Sequence, residues 1–453
     1  MKTLNRKIKP DSAAEVDYKF PSIEHFKISN GINIYLLERT ELPIVRIITQ
    51  CDCGSSYDPL EKKGLARLVT KCLDEGAGEF DSLQLEEEFD ILGTQFSIDS
   101  DDDSITLNLL TLSENIDRSI YLLSLILQSP HLKEENFNRE KRKTLTQLLQ
   151  IKDNAEYIAN RVFYQMVFGQ ESFYSHPSLG YDYTVKNISV EDIKDFYNHN
   201  FFPDTTSIII VGDISKIKLT THLEKYFSSW RSIYKDIRRI YSEKRITQKY
   251  FFVDKKEASQ TEIRIGHSTG LFNYSGYFKK MILNTAFGGQ FSSRLNSNLR
   301  ERNGYTYGIS SSNTYLKHSG KISIGTSVAT EITRKAVDEI FNEIEKIREG
   351  LTADEFAFAK SYLIKKYPLD YETNSSIAGR ISSKLILNFP DDHFENYLQR
   401  LNDVDLNDVN SSASDFINPK NCIVVLVGDK AAIKKQFNDK ELIELDYNGF
   451  EIH

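Results

Sequence analysis

Two short stretches of the chain hold side chains whose spacing could do chemistry. In Gly64-Leu65-Ala66-Arg67-Leu68-Val69-Thr70-Lys71-Cys72, Arg67 and Lys71 lie one helical turn apart on one helix face, with Thr70 between them. The spacing suits metal ligation, but the residue types do not. A guanidinium has no lone pair to give, an ammonium must first lose a proton held to about pH 10.4, and a threonine hydroxyl is no base near neutrality. Arg67 and Lys71 either form a solvated or salt-bridged pair or hold carboxylates of a substrate or partner, and the spacing leaves both open. The second stretch, Phe287 to Gly308, reads FGGQFSSRLNSNLRERNGYTYG. It predicts a helix over 293–301, with Ser292 or Ser293 as cap, Leu295 and Leu299 on the buried face, and Gly304 beyond its end. A strand should follow over 305–311, with Tyr305, Tyr307 and Ile309 on one face. Arg300 in the last helical turn and the Tyr307 hydroxyl can then converge.

Other chemistry is poorly supplied. No two of the nine histidines are close enough in sequence to share a helix face as ligands. The four cysteines, Cys51, Cys53, Cys72 and Cys422, have neither zinc-ribbon nor redox spacing and read as reduced, buried thiols. Gly288-Gly289 lacks the Lys-Ser/Thr of a phosphate loop. The acidic run Asp99 to Asp103 reads as a hairpin turn with solvated carboxylates.

The elements that must position these residues follow from hydrophobic pattern. In the first half, strands are expected at 32–37, 44–50, 96–98 and 105–112. Helices are expected at 64–74, 83–92, 116–127, 133–159 and 190–197. Strands at 250–253, 262–266 and 322–327 and helices at 277–286, 330–348 and 353–366 repeat the plan. A weak internal repeat supports two homologous halves. Pro203 to Asp213 and Pro419 to Asp429 each run from a Pro-opened turn through an apolar strand to Gly-Asp, 216 residues apart. The expected fold is α+β, with a mainly antiparallel sheet packed with helices in each half. The expected divisions are an N-terminal extension (1–20), a first half (21–235), a polar linker (236–248) and a second half (249–453).

The stretch from Gly64 resembles the zinc helix of the pitrilysin/insulinase family of metallopeptidases, Gly-Leu-Ala-His-x-x-Glu-His. There the two histidines hold zinc and the glutamate is the base. Arg67 stands at the first histidine, Thr70 at the glutamate and Lys71 at the second histidine. Gln147 stands at the glutamate that is the family's third ligand. Four changes in register imply the family fold with its zinc site removed.

The segment from Gly288 resembles the family's C-terminal motif of Gly-Gly, Ser-Ser-Arg-Leu, then an arginine followed seven positions later by a tyrosine. Arg300 and Tyr307 take those places. In the family this pair reaches the zinc site of the other half, holds substrate and steadies the negative oxygen of the tetrahedral intermediate. Gly93-Thr94-Gln95-Phe96 opens a segment similar to the family's edge strand, to which a peptide adds. These four residues are the expected substrate contacts.

The resemblance implies a non-zinc subunit of a heterodimeric zinc endopeptidase. Such a chain binds no cofactor itself. A paralogous partner with an intact His-x-x-Glu-His would carry the zinc, and the substrate would be an unfolded peptide. The alternative is a catalytically inactive scaffold or peptide-binding protein of the same fold. Retention of Arg300 and Tyr307 favours the subunit, because a scaffold has no chemical need of them.

Composition fits this reading. The 453 residues are 40% hydrophobic and 27% charged, with a net charge of −8. No Lys/Arg block points to nucleic acid, and the basic run 139–143 reads as a solvated helix face. No stretch is long and apolar enough for a membrane span, and the N-terminus lacks the apolar segment of a secretory signal. Cytoplasmic residence is the default expectation, or periplasmic if a leader has been removed.

Overall fold

The structure, a computed structural model, describes residues 18–231, 248–437 and 442–452. The expected linker, apart from Gln248, and residues 1–17 of the expected extension lie outside them.

The described strands are β1 (Glu24–Lys27), β2 (Asn33–Glu38), β3 (Ile44–Cys51), β4 (Gly76–Ala77), β5 (Phe80–Asp81), β6 (Gln95–Ser100), β7 (Ile105–Leu112) and β8 (Thr206–Gly212) in the first half. The second half has β9 (Lys249–Asp254), β10 (Gln260–Ser268), β11 (Ile309–Tyr315), β12 (Gly320–Ala329), β13 (Ile423–Gly428) and β14 (Leu442–Leu445). One six-stranded sheet runs β1-β2-β8-β3-β7-β6, the other β11-β12-β10-β13-β9-β14, and β4 and β5 form a separate ribbon. The two copies of the sequence repeat occupy equivalent places. β8 is parallel to β2 and antiparallel to β3. β13 is likewise parallel to β9 and antiparallel to β10. β6 and β11 are the corresponding edge strands.

The repeat strands are apolar throughout 208–211 and 423–427 because each is covered there on both faces. Ile208 and Ile210 join the first half's own core, while Ile209 and Val211 pack with second-half residues. The cover is exchanged between the halves. The first-half helix Ala155–Phe168 lies on β10 and β13, where Ile158, Val162 and Phe163 meet Val253, Val425 and Val427. In return, the second-half helix Asn374–Ile386 lies on β3 and β8, where Ile377 and Ile381 meet Leu37, Ile48 and Ile209.

Three local expectations are corrected. The single helix over 133–159 is two, Glu134–Ile151 and Ala155–Phe168. Asn154 ends the continuity because its side chain caps the second helix, accepting from the Tyr157 N–H at 2.9 Å. The strand expected from Tyr305 begins only at Ile309, so Tyr305 and Tyr307 lie in the loop before it. The acidic turn is not simply solvated. Asp101 Oδ1 accepts from the Asp103 and Ser104 N–H groups. Buried Asp103 joins the halves, accepting from Tyr174 Oη at 2.6 Å and from the Lys317 N–H at 2.8 Å.

Candidate functional site

The helix Leu65–Cys72 starts at Gly64, whose φ of 100° is left-handed backbone. A Cβ there would sit 2.9 Å from the Leu179 carbonyl oxygen, so glycine is required. The Asp58 carboxylate accepts from the Gly64 and Ala66 N–H groups at 2.9 and 2.8 Å. Burial pushes its pKa up to about 7, against the opposing pull of Lys63 and the N–H donors.

On this helix Thr70 is buried, and its hydroxyl donates to the Ala66 carbonyl at 2.8 Å, so it is spent inside the helix. Arg67 and Lys71 are partly exposed and form no hydrogen bond or ion pair within the described residues. The salt-bridged reading of that pair is therefore not what the fold adopts. Gln147 is exposed on the helix Glu134–Ile151. A guanidinium, an ammonium, an internally bonded threonine and a neutral amide are not a donor set for zinc, so the residues present do not fit the family's metal. Among the described residues, no group of three or more His, Cys, Asp or Glu is placed to hold a metal ion.

Beside this helix runs an acidic groove that the sequence reading missed. A cavity of about 500 Å³ is lined by Asp74, Glu75, Glu86, Asp90, Gln95 and Phe96. Burial raises the Asp74 pKa to about 6. Glu75 pairs with Arg139, and buried Glu140 pairs with Lys143 at 2.7 Å. The carboxylates were visible as residue types, but their convergence joins a helix end, a separate helix and a strand.

The groove flanks β6, the outermost strand of its sheet. Among the described residues, the main chain of 95–100 bonds only within its own sheet. Its outer N–H and C=O groups are therefore free to pair with an added strand. Gly93 has φ 61° and open space around it, Gln95 is exposed, and Phe96 stacks on Phe89 with centroids 4.8 Å apart. Thr94 differs from its neighbours. Its side chain is buried and bonded to Thr111 and Ser119, so it fixes the strand rather than facing outward.

In the second half, Arg300 and Tyr307 belong to one pinned segment. The expected helix is present, but residues 296–302 form a π-helix, an arrangement frequent at functional sites. Wider turns appear in the bonds of the Asn303 N–H to the Asn298 carbonyl and the Tyr305 N–H to the Leu299 carbonyl. Three side chains hold this turn. Arg294 grips Glu355 with two bonds of 2.6 and 2.7 Å, and Glu355 is driven down to about pKa 2, first by that contact. Asn298 donates to Glu343 and Glu339. Asn296 Nδ2 donates to the Ile309 carbonyl at 2.7 Å, and its Oδ1 accepts from the Ile309 N–H at 3.3 Å. The next outward pair on β11 is also taken, since the Ser311 N–H donates to the Gly288 carbonyl and Asn284 donates to the Ser311 carbonyl. Thus the β11 edge is closed where the β6 edge is open.

The loop between the π-helix and β11 is held at Thr306 and Gly308 by Thr326 Oγ1, 2.9 Å from each partner oxygen. Between them Tyr307 projects into solvent, 93% exposed. Arg300 lies over the Phe291 ring, 4.3 Å from its centroid, with Glu301 at 3.3 Å. Tyr307 thus stands exposed on a fixed support, while Arg300 is engaged by Phe291 and Glu301.

This fold, with two equivalent sheet-and-helix halves and, on the helix Leu65–Cys72, side chains that are not zinc donors, defines a peptidase-like chain. The chain belongs to the M16 peptidase family. The profile described as Insulinase (Peptidase family M16) matches residues 35–174, and that described as Peptidase M16 inactive domain matches residues 187–363. An uncharacterized zinc protease of Rickettsia felis is 25% identical over 340 residues, 74% of this chain and 81% of that protein. The non-peptidase homolog YmxG of Helicobacter pylori is 23% identical over 370 residues, 80% of this chain and 83% of that protein. The crystal structure of a peptidase M16 inactive domain from Pseudomonas fluorescens superposes with a TM-score of 0.83 at 21% identity, covering 90% of this chain and 98% of that one. Among the described residues, no helix is long and apolar enough to cross a membrane.

Proposed function

We propose that this chain is the non-zinc subunit of a heterodimeric zinc endopeptidase. A paralogous partner with an intact His-x-x-Glu-His supplies the metal and base. This chain supplies Arg300 and Tyr307. The observation that carries the reading is Tyr307, an exposed phenol on a loop fastened at both ends. Ordering that loop without burying its aromatic ring gains the free subunit nothing, and it suits contact with another molecule.

In the assembled site, an unfolded peptide adds to a free sheet edge by main-chain bonds. The open β6 edge, with Gly93, Gln95 and Phe96 at its start, is where this chain can receive one. The Tyr307 hydroxyl and the Arg300 guanidinium donate to the scissile carbonyl oxygen as it gains negative charge. A preorganised donor of this kind contributes roughly 3–4 kcal/mol.

The second reading is a catalytically inactive scaffold or peptide-binding protein. The Helicobacter pylori relative's name, non-peptidase homolog, favours it, as does the inactive-domain profile. Reconstitution separates the two. The chain is mixed with a zinc-helix paralogue and cleavage of an unstructured peptide is followed. Activity should appear only in the mixture, and Tyr307→Phe should lower it by roughly a hundred- to a thousandfold. Folding stability should change by less than about 0.5 kcal/mol, since the hydroxyl is exposed. Unchanged rates for Tyr307→Phe and Arg300→Ala would leave the scaffold reading standing instead.

A further inference from the structure

One face of the second sheet packs on helix Thr333–Arg348 through Ile322, Ile324 and Val328 of β12. By the pleat, Lys321, Ser323, Gly325 and Ser327 point to the other face. Helix Ala155–Phe168 covers that face over β10 and β13. Over β11 and β12 a cavity of about 470 Å³ remains, lined by Lys321, Arg264, Tyr164, Ser312, Ser323 and Glu262 among others.

Lys321 is only 6% exposed. Its ammonium lies 3.9 Å from the Tyr164 ring centroid and 5.6 Å from that of Phe163. Among the described residues it has no hydrogen bond and no ion pair. Burial lowers its pKa to about 8, partly offset by Asp102, so it is still mostly charged at neutrality. Arg264, the other buried cation, is already satisfied. Its Nε donates to Asn160 at 2.6 Å and its Nη1 to Glu262 at 2.9 Å. The cavity therefore holds one cation without a counter-charge in contact. An ammonium largely desolvated by its neighbours and facing an open cavity without a counter-charge gains from a ligand anion.

We propose that this cavity binds a carboxylate of the peptide substrate, pairing it with Lys321. The inference rests on the peptide-binding reading above. The hydroxyls of Ser312 and Ser323 bond to each other at 3.1 Å, which leaves one of the two O–H groups to donate to the carboxylate. Glu262 and Glu156 also line the space and disfavour a doubly charged anion such as phosphate. Thr326, whose Oγ1 holds the Tyr307 loop, lies five residues along β12 from Lys321, and by the same pleat its side chain points to the opposite face.

The test uses the full chain and three versions of one unstructured peptide that has no acidic side chain of its own. These are the free acid, the C-terminal amide, and the amide with one internal glutamate added. Binding is read by fluorescence anisotropy. At least one carboxylate-bearing version should bind roughly ten- to a hundredfold tighter than the plain amide. Which version gains shows whether the terminal or a side-chain carboxylate is the ligand. Lys321→Met should erase the preference while leaving affinity for the plain amide unchanged. Equal affinity of the wild-type chain for all three peptides, a comparison that needs no variant to fold, overturns the carboxylate site and leaves peptide binding intact. Binding of none overturns both.

Discussion

Asn296 is the side chain on which the geometry of the Tyr307 loop most depends. Removing it as Asn296→Ala deletes both bonds to the Ile309 main chain, of 2.7 and 3.3 Å. Asn296 is 7% exposed and Ile309 is 4% exposed, so water reaches the stranded N–H and C=O poorly. Each stranded group costs about 1–3 kcal/mol. The longer bond is the weaker, so a total near 3 kcal/mol is expected. If the loss is local, amide exchange in the 303–312 segment should quicken by about a hundredfold, at 1.4 kcal/mol per decade. Hydrogen exchange read by mass spectrometry, together with urea denaturation, measures both quantities. Asn296→Asp keeps the acceptor for the Ile309 N–H, loses the donor to its carbonyl, and should show an intermediate stability. Unaltered protection of that segment in Asn296→Ala, with a stability loss under about 0.5 kcal/mol, would refute the claim that this amide holds the loop.

Three further outcomes are expected. Asp103→Ala strands the Lys317 N–H at the junction of the halves and removes the acceptor of the Tyr174 hydroxyl, which keeps its bond from the His318 N–H, and should cost roughly 1–3 kcal/mol in denaturation; a near-neutral effect would show that this junction is not held there. Burial, helped by the Arg400 and Lys384 charges, lowers the His393 pKa from its ordinary 6.5 to about 3. Its neutral form is therefore the folded form, and its stabilising share is full above pH 6.5 and drains away as pH falls toward 3. By pH 5 the loss is about 2 kcal/mol, so the stability–pH curve of His393→Gln should be flatter on the acid side, and parallel curves would contradict this. Added zinc at tenfold excess over the isolated chain should leave its melting temperature unmoved, because Arg67, Thr70, Lys71 and Gln147 offer no ligand set; a clear upward shift would expose a metal site elsewhere.

Much of the architecture was readable in the residue pattern. The Pro-opened repeat placed β8 and β13, and the strand at 105–112 and the helix at 353–366 match residue for residue. Apolar periodicity is local, so it survives folding. Capping was harder to read. Asn154 interrupts a stretch whose helical periodicity runs on through it, and the rigid strand expected at Tyr305 gave way to a loop because the π-turn bonds the Tyr305 N–H back to Leu299. Of the candidate site, the absent zinc donors on the Leu65–Cys72 helix and the proposed Arg300–Tyr307 pair were legible as residue types at fixed spacing. Lys321 and Glu140 were not, since a lysine on a strand and a glutamate on a helix carry no sign of burial until other elements cover them.

The sequence by itself determined which side chains are on hand: no ligand set on the Leu65–Cys72 helix, a phenol and a guanidinium seven positions apart, and two copies of one strand pattern. These are matters of residue type and of periodicity along a single element. Tertiary structure alone decided that each half lends the other a helix, that the β6 edge lies open while Asn296, Asn284 and Gly288 close β11, and that Lys321 is buried against aromatic rings. Each of those depends on groups far apart in the chain meeting in space, where burial and the pairing of donors with acceptors set the outcome.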